Sequence, residues 1–457
     1  MYIVMNTKSN KTNKTNKSNK SNKTNKSKKR KKGGSVLASG GFGCVFSPAL
    51  LCKGEQQRKS NTVSKLMTTR YANEEYNFIN KIREKLKEIP NYKDYFLVEN
   101  IEICAPDKLS YDDLSNYKKK CSALPKDDIT AKNINEHLDD IKILNMPNGG
   151  DEVDNYIFND DGDDKLFILN KKLIELLKNG IIPMNNKNIY HSDIKNSNIL
   201  IDSSLKTRLI DWGLYTEYSP KDKMIPKMWV NRPLQFNVPF SVILFTDLFN
   251  KKYTTYIKNG GKTDKTNLKP FVVSYLKDWI KIRPGHYRVI NDIMFMLFSN
   301  DLKMNIKLKW KAVEQRYTVP YIVNYIIDIL VNYTHLKNDG TFDAKPYLDK
   351  VYIQIVDVWG FLSNYFAILE LLYNNYDDLN KDEILMFKQI KQLILNYLYN
   401  PRSKPIDTKE LIQELDKLFD YQRFNKTMQS SSKISFVRTN KKTRRAQTLV
   451  LVPSKKK

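Results

Sequence analysis

Two short apolar runs with a polar loop between them constrain this chain more than any other feature. Ile189-Tyr190 leads into His191-Ser192-Asp193-Ile194-Lys195-Asn196-Ser197-Asn198, and Ile199-Leu200-Ile201 follows. Thirteen residues after Asn198, Asp211 stands in Leu209-Ile210-Asp211-Trp212-Gly213. Aliphatic runs of this length read as strands, so the polar residues lie on loops that a scaffold presents, where chemistry concentrates. Asn198 and Asp211 offer a carbonyl and a carboxylate oxygen, a donor set that suits Mg2+ together with substrate phosphates. Asp193 is left free to act as a base.

Upstream, five of the sixteen glycines (33, 34, 40, 41 and 43) fall within eleven residues. Ser35 to Ala38 and Cys44 to Phe46 read as strands, which makes Gly40-Gly41-Phe42-Gly43 the tip of a hairpin. Without Cβ atoms in the way, backbone N–H groups at such a tip can approach phosphate oxygens. Taken alone the hairpin is an ordinary turn, because Ala38 replaces the first glycine of a GxGxxG pattern. A further strand over Thr62-Val63-Ser64-Lys65-Leu66 supplies a single lysine. An amphipathic helix over Tyr71 to Leu86 should bury Phe78, Ile79, Ile82 and Leu86, with Glu75 on the same stripe. A carboxylate on an inward face needs a cation, and Lys65 is its natural partner.

Charge is concentrated at the ends. The formal net charge is +27, and residues 1–32 carry twelve basic side chains and residues 421–457 eleven, with no acid in either. The stretch between is therefore near +4 (27 − 23), so overall basicity is weak evidence for a nucleic-acid partner. From Asn6 to Lys26 the chain repeats a Lys-Thr/Ser-Asn unit with nothing apolar to bury, so the basic tail over 1–33 is expected to be disordered. The tails could contact nucleic acid or acidic surfaces non-specifically, in a salt-sensitive way. Four cysteines at 44, 52, 104 and 121 form no CxxC pair and are expected to be unpaired thiols, Cys44 as a small buried hydrophobe, in a protein of a reducing compartment. No His/Cys spacing matches a zinc site. No apolar run approaches the length of a membrane span. Asn159-Asp160-Asp161-Gly162-Asp163-Asp164 imitates a calcium loop, but Ile157 occupies its first ligand position and a solvated acidic loop is favoured.

These residues, in this order, resemble a eukaryotic-type serine/threonine protein kinase. The glycine-rich loop is matched by Ala38-Ser39-Gly40-Gly41-Phe42-Gly43-Cys44-Val45, the strand lysine by Lys65 and the helix glutamate by Glu75. The HRDxKxxN loop is matched by His191 through Asn198, DFG by Asp211-Trp212-Gly213, and the aspartate that braces the catalytic loop by Asp357 in Val356-Asp357-Val358-Trp359-Gly360. The Lys/Asn-rich tail, the segment 231–240 and a large insertion make the chain similar to kinases of giant DNA viruses such as mimivirus. The resemblance implies an α+β, bilobal kinase fold: a small β-rich lobe over 34–148, a larger helical lobe over 149–420 with a helical insertion at about 241–350, and a basic tail over 421–457. It implies ATP and Mg2+ as cofactors and proteins with Ser or Thr acceptors as partners. Asp193 would accept the proton of the acceptor hydroxyl, Lys195 would neutralise the γ-phosphate, and Asn198 and Asp211 would hold Mg2+. Lys65, held by Glu75, would pair with the α- and β-phosphates, and Leu144-Asn145-Met146-Pro147, with Asn145 and Met146 at its centre, would be the hinge that binds adenine. Such a protein works in a soluble, intracellular setting: host cytoplasm, nucleus or virion.

Four departures stand out. Ser192 replaces the Arg that in many kinases binds an activation-loop phosphate, so activity without loop phosphorylation is expected. Phe240 stands where the APE glutamate is expected and Lys404 where its arginine partner is, so an internal ion pair is missing on both sides. The gap from Pro239 to Asp357 is far longer than usual and contains helical candidates such as Tyr321 to Tyr333. Thr216-Glu217-Tyr218 imitates a dual-phosphorylation motif but follows Gly213 too closely. The competing readings are a pseudokinase or scaffold tethered by its tails, and a small-molecule phosphotransferase. Intact Lys65, Asp193, Asn198 and Asp211 argue against the first, and the Asp357 motif argues against the second.

Overall fold

Short β-prone runs broken by Gly, Pro and Asn give the N-terminal region its sheet. A computed structural model describes residues 35–159, 165–400 and 403–418. The two tails and most of the calcium-like loop lie outside the described residues. Five strands, β1 (Ser35–Ser39), β2 (Gly43–Ser47), β3 (Thr62–Thr68), β4 (Glu102–Cys104) and β5 (Ile141–Pro147), form one sheet in the order β1-β2-β3-β5-β4. All neighbours are antiparallel, and the register sets Val45 and Leu144 on either side of Lys65.

After β3 comes the helix α1 (Thr69–Leu86). Its buried residues are Ala72, Ile79, Ile82 and Leu86. Phe78 is 45% exposed, against expectation. It lies one residue, about 100°, round the helix from Ile79, so it cannot share the narrow stripe that Ala72 begins.

The cysteines correct the sequence reading more sharply. Cys44 pairs with Cys121 and Cys52 with Cys104, and among the described residues no cysteine is free. Partners 77 and 52 residues apart cannot be matched by spacing. Disulfides persist in oxidising surroundings, so the expectation of a reducing compartment loses its premise.

By contacts the chain divides into two compact units. The smaller holds the described residues up to Glu84 with Val98–Asn148, and the larger holds Lys85–Leu97 with the described residues from Gly149 on. The larger unit is mostly helical. Its described strands are few: Asp151–Glu152, Ile199–Ile201 and Thr207–Leu209 make one small sheet, Ile189–Tyr190 pairs with Thr216–Glu217, and His335–Leu336 pairs with Phe342–Asp343. Residues 241–350 supply the helices Asp247–Lys258, Lys265–Ile282, Tyr287–Phe298, Ile306–Val313 and Val319–Tyr333.

The run Lys345–Asn374 is long and apolar enough to cross a membrane by length and composition, which the sequence reading did not anticipate because Asp349, Lys350 and Asp357 interrupt it. Within the protein, 89% of its most apolar window is buried, so it serves as a core helix. Its Trp359 belongs to an aromatic cluster. Phe240, fully buried, meets Trp359 edge-on at 5.2 Å and Tyr325 at 5.7 Å, and lies nearly parallel to Tyr399 at 5.5 Å. Where the resemblance implies an ion pair, the chain packs rings instead, and Lys404 is exposed. The insertion shares this core through Tyr325.

Candidate active site

In the smaller unit, Lys65 sits on the central strand β3 and Glu75 two turns into α1. The lysine Nζ lies 2.7 Å from both oxygens of Glu75, with both side chains largely shielded. A half-buried pair of this kind is strong because water competes poorly for it. The glycine hairpin is tied at its base. Ser39 Oγ accepts from the N–H groups of Ser122 and Ala123 at 3.1 and 3.2 Å, and Cys44 adds its disulfide to Cys121. The Ser39 hydroxyl is therefore engaged by the protein.

At Gly43 a Cβ would come within 2.7 Å of the Leu66 carbonyl, so the strands can approach only with glycine there. At Gly41 nothing stands within 4 Å, so the tip is open. Phe42 is 55% exposed and packs on Tyr71 at 4.7 Å. Ala38 and Val45 are paired across the hairpin. Asn145 is buried, and its Nδ2 donates to Cys52 Sγ at 3.3 Å while its Oδ1 accepts from Ser64. Its backbone lies in the ladder, opposite Ser64 on one side and Glu102 on the other. Met146 follows, opposite Val63, and Pro147 has no N–H to donate.

In the larger unit the 191–198 loop is held from below by Asp357. Its two oxygens accept the N–H groups of His191 and Ser192 at 2.8 Å each, and Asn185 Nδ2 donates to it at 2.7 Å. Burial raises the Asp357 pKa against these donors. His191 Nε2 lies 2.9 Å from the Ile210 carbonyl, which can only accept, so Nε2 carries the proton and Nδ1 accepts from the Asp193 N–H at 3.3 Å.

Ser192 has φ of 62°, a conformation that costs energy for a non-glycine residue. Every polar group it owns is bound. Besides its N–H on Asp357, its hydroxyl accepts from Trp229 Nε1 at 2.9 Å and its carbonyl from Arg232 Nη1 at 3.0 Å.

Asp193 is only 8% exposed and both of its oxygens are held. Oδ1 accepts from Asn237 Nδ2 at 2.9 Å, and Oδ2 from Lys195 Nζ at 2.8 Å and Asn198 Nδ2 at 3.1 Å. Burial would push its pKa up, but the Lys195 charge and hydrogen bond, the Asn237 amide and His191 outweigh it, so the carboxyl lies below the ordinary Asp range. An ionised, oriented carboxylate can receive a proton from a hydroxyl brought to it.

Asn198 spends its Nδ2 on Asp193, which leaves its amide oxygen as a ligand, and its backbone carbonyl accepts from the Ile210 N–H at 3.0 Å. That bond sets Asp211 beside it. Asp211 adopts φ of 63°, is exposed, and makes no side-chain hydrogen bond or ion pair among the described residues. No group of three or more His, Cys, Asp or Glu side chains converges among the described residues. One amide oxygen and one free carboxylate fit Mg2+ that takes its remaining ligands from water and phosphate, and not a metal caged by protein alone.

The structure thus brings together Asp193, Lys195 and Asn198 in the larger unit, with Asp211 alongside, and Lys65 with Glu75 in the smaller. Sequence reasoning missed Asn237, Arg232 and Trp229. Only an amide among apolar neighbours, Phe236-Asn237-Val238, hinted at the first. Thr216 and Tyr218 are buried at 5% and 2% exposure, so the imitation motif presents no accessible acceptor.

No protein-family model matches the chain. Among curated proteins it is similar to the dual specificity protein kinase shkB of Dictyostelium discoideum, 30% identical over 149 residues. The match takes in 26% of this chain and 23% of that protein, and so spans under a quarter of the relative's length. The chain is related in part to a protein kinase. Its sheet-bearing N-terminal region and mostly helical larger part are compatible with an α+β kinase-like fold.

Proposed function

We propose that the chain is a protein kinase of bilobal fold that transfers the γ-phosphoryl group of ATP, with Mg2+, to Ser or Thr hydroxyls of protein substrates. The observation that carries this reading is the Asp193 constellation, in which Asn237, Lys195 and Asn198 hold both oxygens of one ionised carboxylate. Phosphoryl transfer asks chiefly for positioning and charge stabilisation, which such a fixed set supplies. Asp193 accepts the proton of the acceptor hydroxyl as that oxygen bonds to phosphorus and ADP leaves. Lys195 neutralises charge on the transferring group. Lys65, kept extended by Glu75, pairs with the α- and β-phosphates, and the hairpin 38–45 covers them. Asn198 and Asp211 would hold Mg2+, which supplies charge neutralisation at the phosphates.

The lysine two residues after Asp193 supports Ser/Thr over Tyr acceptors by resemblance. Transfer of radiolabelled γ-phosphate to a mixed panel of basic and acidic proteins, followed by phosphoamino-acid analysis, tests the reading. Label on Ser or Thr that is lost by more than about a thousandfold in Asp193→Ala is the expected result. No label on any protein, with nucleotide binding also absent, would sink the proposal.

A further inference from the structure

The phosphoryl-transfer reading leaves unused a set of cations packed on the segment that follows the 191–198 loop. The turn between the helices Lys265–Ile282 and Tyr287–Phe298 docks onto residues 231–236. Arg283 Nη1 donates to the Asn231 carbonyl at 2.5 Å, and the His286 N–H to the Leu234 carbonyl at 2.8 Å. The His286 ring stacks on Phe236 at 5.3 Å. At Gly285, with φ of +50°, a Cβ would stand 2.3 Å from the Leu234 carbonyl oxygen, so the turn is fitted to this segment. One residue beyond Phe236, Asn237 holds Asp193. The insertion therefore delivers its turn to the approach of the candidate base.

That turn is cationic. Lys281, Arg283 and Arg288 are exposed, and none forms an ion pair among the described residues. One helical turn on, Asp292 accepts from Trp310 Nε1 at 2.8 Å and feels the charge of Arg288 without pairing with it, so Arg288 is the most compensated of the three. Beneath the turn, Arg232 is 7% exposed and bonds only to neutral oxygens, those of Gln235 and Ser192, while its Nη2 has no partner. A guanidinium buried without a counter-ion projects its field outward through low-dielectric surroundings. In residues 219–231, the stretch that ends at the Asn231 held by Arg283, Lys221, Lys223 and Lys227 are exposed against Asp222 alone. Since the chain between its tails is close to neutral, this is a local concentration and not background. His286 Nδ1 has no partner, and burial first, then the charges of Lys195 and Arg232, push its pKa down to about 4 despite Asp193, so the ring is neutral and adds no charge to this face.

We propose that this face, built by the insertion's 281–288 turn on the 231–237 segment, selects acceptors whose hydroxyl is flanked by acidic residues. The proposal rests on the protein-kinase reading and names the substrate chemistry of that same site. Arg283 and its exposed neighbours contact the carboxylates, and Arg232 adds attraction without contact.

The test uses the full chain with Mg-ATP and Ser peptides that differ only in flanking residues: Glu, Ala or Lys. Glu-flanked peptides should exceed Lys-flanked ones by roughly tenfold in kcat/KM, a preference that shrinks as salt rises. In a Lys281→Glu, Arg283→Glu, Arg288→Glu variant shown to be folded by circular dichroism, KM for Glu-flanked peptides should rise and the preference should invert. Equal or Lys-favouring rates in the wild type would overturn the proposal and leave the kinase reading standing. So would an unchanged preference in the variant, including the case in which the variant loses only duplex-DNA affinity and the face proves to be a nucleic-acid contact. Failure to label any peptide or protein would overturn both.

Discussion

The 191–198 loop and the buried end of the 231–240 segment lie in the same unit and are held by opposite chemistry. The loop is fixed by directed polar contacts: one carboxylate, Asp357, takes two consecutive backbone N–H groups, and Trp229 and Arg232 take the remaining polar atoms of Ser192. Phe240, at the far end of the segment, is fixed by three rings from three separate stretches of chain. Hydrogen bonds contribute about 1 kcal/mol each but set orientation closely. Aromatic packing contributes more through buried area and tolerates small rotations. The difference teaches that where geometry must be held to a few tenths of an ångström the chain uses polar contacts, and where it needs only cohesion it replaces an expected ion pair by rings.

Two substitutions should separate these roles. Phe240→Ala should cost about 3–5 kcal/mol of stability, read as a lower urea midpoint, while the protein that remains folded keeps its turnover within a few-fold. Asp357→Asn puts an amide where two N–H groups converge and should cost less, about 2 kcal/mol. Its turnover should nevertheless fall roughly a hundredfold, because the 191–198 loop loses its register. A Phe240→Ala protein of unchanged stability would break the comparison from one side. An Asp357→Asn enzyme of undiminished kcat would break it from the other.

What the sequence disclosed follows the same division. The strand–loop–strand around His191 to Asn198, the lysine in β3 and the glutamate in α1 were legible because short-range patterning and local polar chemistry announce them. Lys65 and Glu75 are ten residues apart and belong to consecutive elements, so one strand and one helix suffice to pair them. The disulfides were not legible, since the chain runs through β3, α1 and β4 before Cys121 returns to Cys44. The burial of α1 was legible for Ile79, Ile82 and Leu86 but not at the stripe's edge, where Ala72 is buried and Phe78 is not, because hydrophobicity alone cannot tell which side of a helix its partner sheet covers. Asn237 and Arg232 carry no motif. Their importance comes from contacts with residues about forty positions earlier, which only tertiary structure supplies.

The smallest expected effect tests whether Ser192 is held without phosphate. On the proposed reading, Trp229 Nε1 on the Ser192 hydroxyl does part of what an arginine and a phosphorylated activation loop do elsewhere. The indole is fully buried and touches Tyr190, Tyr218 and Tyr352 edge-on at 5.3 to 5.7 Å, so its ring is anchored independently of that bond. Trp229→Phe keeps most of the ring contacts and removes the donor, at a cost of about 1 kcal/mol. Turnover should fall several-fold with little change in KM for ATP, because the change acts through loop orientation and not through nucleotide contacts. Phosphatase treatment of the wild type should leave its rate unchanged, since the contacts that hold Ser192 involve no phosphate. Loss of activity on phosphatase treatment would place the control of this loop in a phosphorylated residue and reduce Trp229 to a packing role.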